Sequence, residues 1–254
     1  MEHVWITILG ITFIFLMTTL GGALVYCFKK ELPLKLQSIF YGLAGGVMTA
    51  ASIWSLLLPA LTEAEVTWGK LAFIPVAIGF LLGGLLIVLV EKWMHLPSKG
   101  EEGRAKKLFL SMTVHNIPEG LAVGFAFGAA HSIGTPTAHF SALMLAIGMG
   151  IQNFPEGAAV TLPMQTALKS KHKAFLYGVW SALVEPISAV IGILFATFLR
   201  VLQPCLLAFA AGAMIFVVAE ELLPASKAEG HSWGAWGVMI GFTIMMILDV
   251  ALGA

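Results

Sequence analysis

Two hexapeptides hold the residues best suited to chemistry: His115-Asn116-Ile117-Pro118-Glu119-Gly120 and Gln152-Asn153-Phe154-Pro155-Glu156-Gly157. Both read polar-Asn-apolar-Pro-Glu-Gly. On a helix, residues four apart share a face, so His115 stands over Glu119 and Gln152 over Glu156. Imidazole, carboxylate and amide oxygen together suit Zn2+, and also Fe2+, Mn2+, Co2+ or Cd2+. They are not the sulfur set that selects Cu(I). The ligand set read from these residues is His115, Glu119, Gln152 and Glu156, with Asn116, Asn153 and Glu185 close by. Paired glutamates can bridge two ions.

The elements that position these groups are apolar. Of 254 residues, 59% are hydrophobic and 11% charged, and the mean hydropathy is +0.92. A water-soluble domain of this length could not carry so apolar a surface, which points to an all-α integral membrane protein forming a single transmembrane domain. The net charge is zero and there is no basic patch, which argues against a nucleic-acid partner and leaves membrane lipid as the surroundings. The first apolar run has no basic segment before it, so it reads as a span and not as a cleaved leader.

A helix crosses a bilayer in roughly 20 apolar residues. Eight such runs are expected, at about 4–28, 37–61, 71–94, 107–129, 139–167, 174–199, 204–225 and 233–253. The odd-numbered connections hold Lys29, Lys30, Lys35, Lys92, Lys99, Arg104, Lys106, Lys107, Lys169, Lys171, Lys173 and Lys227, whereas the even ones hold only Lys70 and Arg200. The positive-inside rule then puts the odd connections in the cytoplasm and both termini outside. Cys27 and Cys205 fall on opposite faces and should not pair.

Glu119, Glu156, Glu185, Glu220 and Glu221 all lie within these runs, and no Lys or Arg lies deep in any of them. Carboxylates at that depth must be protonated, solvated or paired with a bound cation. Glu119 and Gln152 fall near the midplane, and Glu185-Pro186 near the middle of the sixth run. Glu220 and Glu221 approach the cytoplasmic end, where they fit either an exit path or ordinary interfacial charges. Pro118 cannot donate to the carbonyl of Val114, so a kink is expected at the first motif. Gly120, Gly124 and Gly128 form a small-residue stripe for close helix packing. His131, His139 and His231 read as loop histidines, and His3 and His95 as residues at the edges.

The second run contains Gly46-Val47-Met48 and ends Leu57-Leu58-Pro59-Ala60, and the seventh contains Gly212-Ala213-Met214 and ends Leu222-Leu223-Pro224-Ala225. These two runs cross in opposite senses, as do the two that bear the twin motif. A 3+2+3 inverted repeat accounts for both likenesses, and inverted repeats with midplane sites are a transporter signature.

These motifs resemble the ZIP (Zrt-, Irt-like protein) family of metal transporters, nearest to its bacterial GufA-like branch. The resemblance runs over the whole chain and implies transport of divalent metal, zinc first, into the cytoplasm across the bacterial inner membrane. It implies a binuclear site holding up to two ions as substrate. One position would use His115, Glu119, Gln152 and Glu156 with Met48; the other would use Asn116, Glu119, Asn153, Glu156 and Glu185. Two other readings compete. One is a membrane-embedded metallohydrolase, although the chain lacks His-Glu-x-x-His and Gly-x-Ser-x-Gly. The other is a proton-coupled carrier of an organic solute. The apolar surface and glycine stripes are also compatible with a homodimer.

Overall fold

The structure, a computed structural model, describes residues 3–28, 33–93, 101–199, 202–227 and 232–252. His95, His231, Lys29, Lys30, Lys99 and Arg200 lie outside the described residues. The described chain is helical with no strand. Its elements are α1 (Val4–Ala23), α2 (Leu34–Ala51), α3 (Leu58–Trp68), α4 (Phe73–Trp93), α5 (Glu101–Ile133), α6 (Pro136–Leu168), α7 (Lys171–Leu199), α8 (Gln203–Val217), α9 (Leu223–Ser226) and α10 (Trp233–Leu252).

Six segments are long and apolar enough to cross a membrane: Val4–Tyr26, Leu34–Leu71, Phe73–Trp93, Lys171–Ala196, Gln203–Ser226 and Trp233–Ala251. The remaining two long helices, α5 and α6, have 33 residues each. They are less apolar because they carry the twin hexapeptides. Exposed apolar side chains such as Leu81, Leu89, Leu194 and Val250 cover the outside, and exposed Trp5, Trp68, Trp93 and Trp236 sit near helix ends. Only hydrocarbon surroundings make such a surface favourable, and tryptophan at helix ends matches the membrane interface. The chain is an integral membrane protein.

Two groups of helices pack against each other. The most extensive pairs are α5 with α7 and α1 with α6 in one group, and α2 with α10 and α4 with α8 in the other; α2 with α6 and α5 with α8 link the groups. Glycine sets the close seams. At Gly120 and Gly124 an added Cβ would run into the backbone carbonyls of Glu185 and Ala189, so α5 and α7 touch backbone to backbone.

The turn between α5 and α6 follows from local chemistry. Gly134 takes φ 72°, the left-handed conformation that closes a helix without a Cβ penalty. Its N–H donates to the carbonyl of Ala130 at 2.8 Å. Thr135 then caps α6 by accepting from the N–H of Ala138 at 3.3 Å, and Pro136 occupies the first helical position, where no N–H is needed. This two-residue connection makes α5 and α6 antiparallel, which brings the two motifs side by side.

Each of α5, α6 and α7 runs on as one helix past Pro118, Pro155 and Pro186 respectively. The clear breaks in helical pattern lie elsewhere, in the π-helical segments Ser52–Leu57 and Val218–Leu222. Each leads into a short helix bearing a proline, Pro59 in α3 and Pro224 in α9. A wider turn is what a helix adopts where proline removes a donor and blocks the regular pattern. The second run also proves longer than expected, continuing through α3 to Trp68.

Candidate metal centre

The polar layer lies between two apolar ones within the α1, α5, α6 and α7 group. On one side are Ile14, Val123, Phe127, Ala142, Ala146 and Met149; on the other are Val25, Ala158 and Leu162. Between them lie His115, Asn116, Glu119, Gln152, Asn153, Glu156 and Glu185, none more than 2% exposed. Each is near the middle of its helix, so regular helix geometry alone places the layer near mid-membrane.

The layer divides into two neighbouring groups. In the first, His115 Nε2 stands 3.3 Å from Glu156 Oε2 and 3.8 Å from Glu119 Oε1, and the Gln152 amide donates to Glu119 Oε1 at 2.5 Å. One ligand atom from each of His115, Glu119 and Glu156 fits within 4.8 Å of the other two. Two ligands held about 2.0 Å from one tetrahedral ion stand roughly 3.3 Å apart, so this spacing suits a shared cation. In the second group, Glu185 Oε2 accepts from the Asn153 amide at 2.9 Å, and Glu185 Oε1 accepts from Asn116 at 3.3 Å and from the Thr18 hydroxyl at 2.6 Å. The Asn116 amide also donates to the carbonyl of Ser181 at 3.1 Å.

What these groups leave unpaired is as informative as what they pair. Buried and without a hydrogen-bond partner are His115 Nδ1, Glu119 Oε2, Gln152 Oε1 and Glu156 Oε1 in the first group, and Asn116 Oδ1 and Asn153 Oδ1 in the second. Every carboxylate and amide atom in that set is an oxygen acceptor. A buried acceptor without a donor costs about 1–3 kcal/mol, and more when charged. Ionised together, Glu119, Glu156 and Glu185 would also repel one another. A bound cation relieves the repulsion and gives several of the unpaired oxygens one shared partner.

The other expected residues take different places. Met48 is fully buried in the main apolar cluster, together with Met112, Met214 and Met245. Glu220 and Glu221 lie in the Val218–Leu222 π segment, and Glu220 is exposed. Thr18 and Ser181, which hold Glu185 and Asn116, escape the sequence reading because a lone hydroxyl in an apolar helix usually bonds to its own backbone. Asp249 also escapes it. This buried carboxylate in α10 accepts from the Ser55 hydroxyl at 2.8 Å, tying α10 to the π segment after α2. An acidic residue inside an apolar run was the available signal.

Comparison with known proteins agrees with this geometry. The family model described as ZIP Zinc transporter matches residues 100–249, which include both motifs and Glu185. The chain is 36% identical to the Zinc transporter GufA of Myxococcus xanthus, over 91% of this chain and 93% of the relative. It is 35% identical to the Zinc transporter ZIP11 of Xenopus tropicalis, over 97% of each. It is 36% identical to the Zinc transporter ZIPB of Bordetella bronchiseptica, over 99% of this chain and 82% of the relative. With the site geometry and these relatives agreeing along almost its whole length, the chain belongs to the ZIP zinc transporter family.

Proposed function

We propose that this protein carries divalent transition metal ions, Zn2+ first, across the membrane into the cytoplasm, using the α5/α6 polar layer as its transport site. The observation that carries this reading is the set of buried, unpartnered oxygens on Glu119, Gln152 and Glu156 beside His115 Nε2. The first position uses those four residues, with Met48 as a further ligand. The second uses Asn116, Asn153 and Glu185 and shares Glu119 and Glu156, so the layer accommodates up to two ions. The second position adds the neutral amide oxygens of Asn116 and Asn153 to its carboxylates, weaker ligands that suit an ion that must also leave. The relatives are named as transporters, and the hydrolase and organic-solute readings are set aside.

An eight-span, 3+2+3 inverted repeat, forming one domain, is supported by the packing. Exchange α1, α2–α3 and α4 with α7, α8–α9 and α10, and α5 with α6. The α5–α7 pair then becomes α6–α1, and the α2–α10 pair becomes α8–α4, which reproduces the four main pairs. The same exchange pairs the two π segments, Ser52–Leu57 and Val218–Leu222. Alternating access then consists of the α1, α5, α6 and α7 group shifting against the other, with release past Glu220 and Glu221. The protein resides in the bacterial inner membrane with both termini outside, and its lipid-facing surface is compatible with a homodimer.

Purified protein in liposomes should give Zn2+ flux that stops when the ion is chelated. Absence of flux for Zn2+, Fe2+, Mn2+, Co2+ and Cd2+ alike from folded protein would remove the transport reading. Orientation is tested at exposed Cys27. In spheroplasts it should resist a membrane-impermeant maleimide until the membrane is opened. Labelling of Cys27 in sealed spheroplasts of a Cys205→Ser variant, which removes the other free cysteine, would reverse the topology.

A further inference from the structure

Three histidines meet at one end of the α5–α6 hairpin. The His3 and His139 ring centroids are 4.2 Å apart with planes inclined by 26°, and those of His131 and His139 are 4.9 Å apart at 61°. Neither His131 nor His139 lies in a loop: His131 is in the last turn of α5 and His139 in the first turn of α6, joined by the tight Gly134-Thr135 turn. Counted along the helices, they stand roughly 20–24 Å from His115 and Gln152.

The ring nitrogens are arranged in a particular way. His131 Nδ1 lies 2.8 Å from the carbonyl of Phe127, and His139 Nδ1 lies 2.9 Å from the carbonyl of Thr135. A carbonyl can only accept, so in each ring Nδ1 carries the proton and Nε2 keeps its lone pair. This is the second-shell arrangement of metal-binding histidine, one ring N–H held by a backbone carbonyl and the other nitrogen left to ligate. His139 is 1% exposed, and its Nε2 is buried with no hydrogen-bond partner. His3 precedes α1 and makes no side-chain capping bond to it, so its ring is available.

We propose that His3, His131 and His139 form a second divalent transition-metal site at the α5–α6 turn, separate from the central one. Neutral imidazole nitrogens select borderline ions such as Zn2+, Co2+, Ni2+ or Cu2+ over Mg2+ and Ca2+. Two imidazoles sharing an ion at about 2.0 Å place their centroids roughly 5 Å apart, close to the His131–His139 separation. His3 joins them by turning its ring out of the stack on His139, so that its lone pair points at the shared ion. With the termini outside, this site lies at the outer mouth of the helix pair that bears the transport site, where it gathers ions from dilute solution. The binding itself does not depend on the transport reading.

The test is a Co2+ titration of tag-free purified protein carrying His115→Ala, Glu119→Gln and Glu156→Gln, read by visible ligand-field absorption. About one equivalent with nitrogen-ligand absorption should remain. Adding His131→Ala, an exposed position, should weaken it at least about tenfold, and His139→Gln should do the same with the thermal transition retained. No Co2+ bound by the background protein, or binding unchanged by His131→Ala, overturns the proposal. If instead the three central substitutions leave wild-type Co2+ binding intact, the central site fails and the His131 result still decides this one.

Discussion

Replacing Glu119 and Glu156 together by alanine should abolish metal flux while costing the metal-free protein little stability. The two effects have one cause. Both carboxylates are buried, would repel each other and Glu185 when ionised, and each keeps an oxygen without a donor. In the metal-free state those oxygens are a cost of about 1–3 kcal/mol each, so their removal should offset much of the lost packing. Transport should fall by at least about a hundredfold, because second-shell changes alone weaken metal sites by about 10–100-fold and here two direct ligands are lost. A further signature is linkage. At a free metal concentration a hundred times Kd, wild type should gain about 2.7 kcal/mol of stability, and the double variant should gain none. Flux in liposomes and thermal unfolding with and without Zn2+ measure both. A variant that still transports at the wild-type rate would sink the assignment of these residues.

The second large effect is expected at a residue with no side chain. Gly124→Val should destabilise the protein by about 1–3 kcal/mol or more and weaken metal binding, although Gly124 lies outside the ligand set. An added Cβ there would collide with the backbone carbonyl of Ala189. Backbone cannot swing aside as a side-chain tip can, so α5 and α7 must separate. Gly120 and Gly192 pack along the same seam. Separation would draw Glu185 and Ser181 on α7 away from Asn116 on α5, breaking contacts of 3.1 Å and 3.3 Å. Gly148→Ala on α6 is the control. Its Cβ would meet only Asp249 Oδ1, at an ordinary 3.7 Å, so the gain in helix preference of roughly 0.5–1 kcal/mol should appear as equal or higher stability. Thermal unfolding in detergent measures the pair. Equal stability of the two variants would show that the α5–α7 seam is not tightly packed.

Helical spacing made much of the central site legible. His115 with Glu119, and Gln152 with Glu156, share a face whatever surrounds them, because 3.6 residues per turn puts positions four apart together. The Gly134-Thr135-Pro136 turn is equally local, and it makes the two motif helices antiparallel neighbours. The absence of deep Lys or Arg, read from sequence, already required a cation or proton for the acids. The membrane-spanning class followed from hydropathy, although α5 and α6 are polar enough to fall below the level of the six plainest spans.

Other features depend on which helices touch, and spacing along one helix does not contain that information. Glu185 is held by Thr18 from α1, Asn116 from α5 and Asn153 from α6, a convergence set by small-residue seams and many weak contacts summed over whole helices. The Ser55–Asp249 bond, between residues almost two hundred positions apart, arises in the same way. His3, His131 and His139 looked like ordinary end residues because each is unremarkable alone. Sequence by itself determined the ligand types, their helix faces and their depth. Tertiary structure decided which faces converge, which oxygens are left without donors and where three histidines gather, because only packing between helices brings distant backbone segments within a few ångströms.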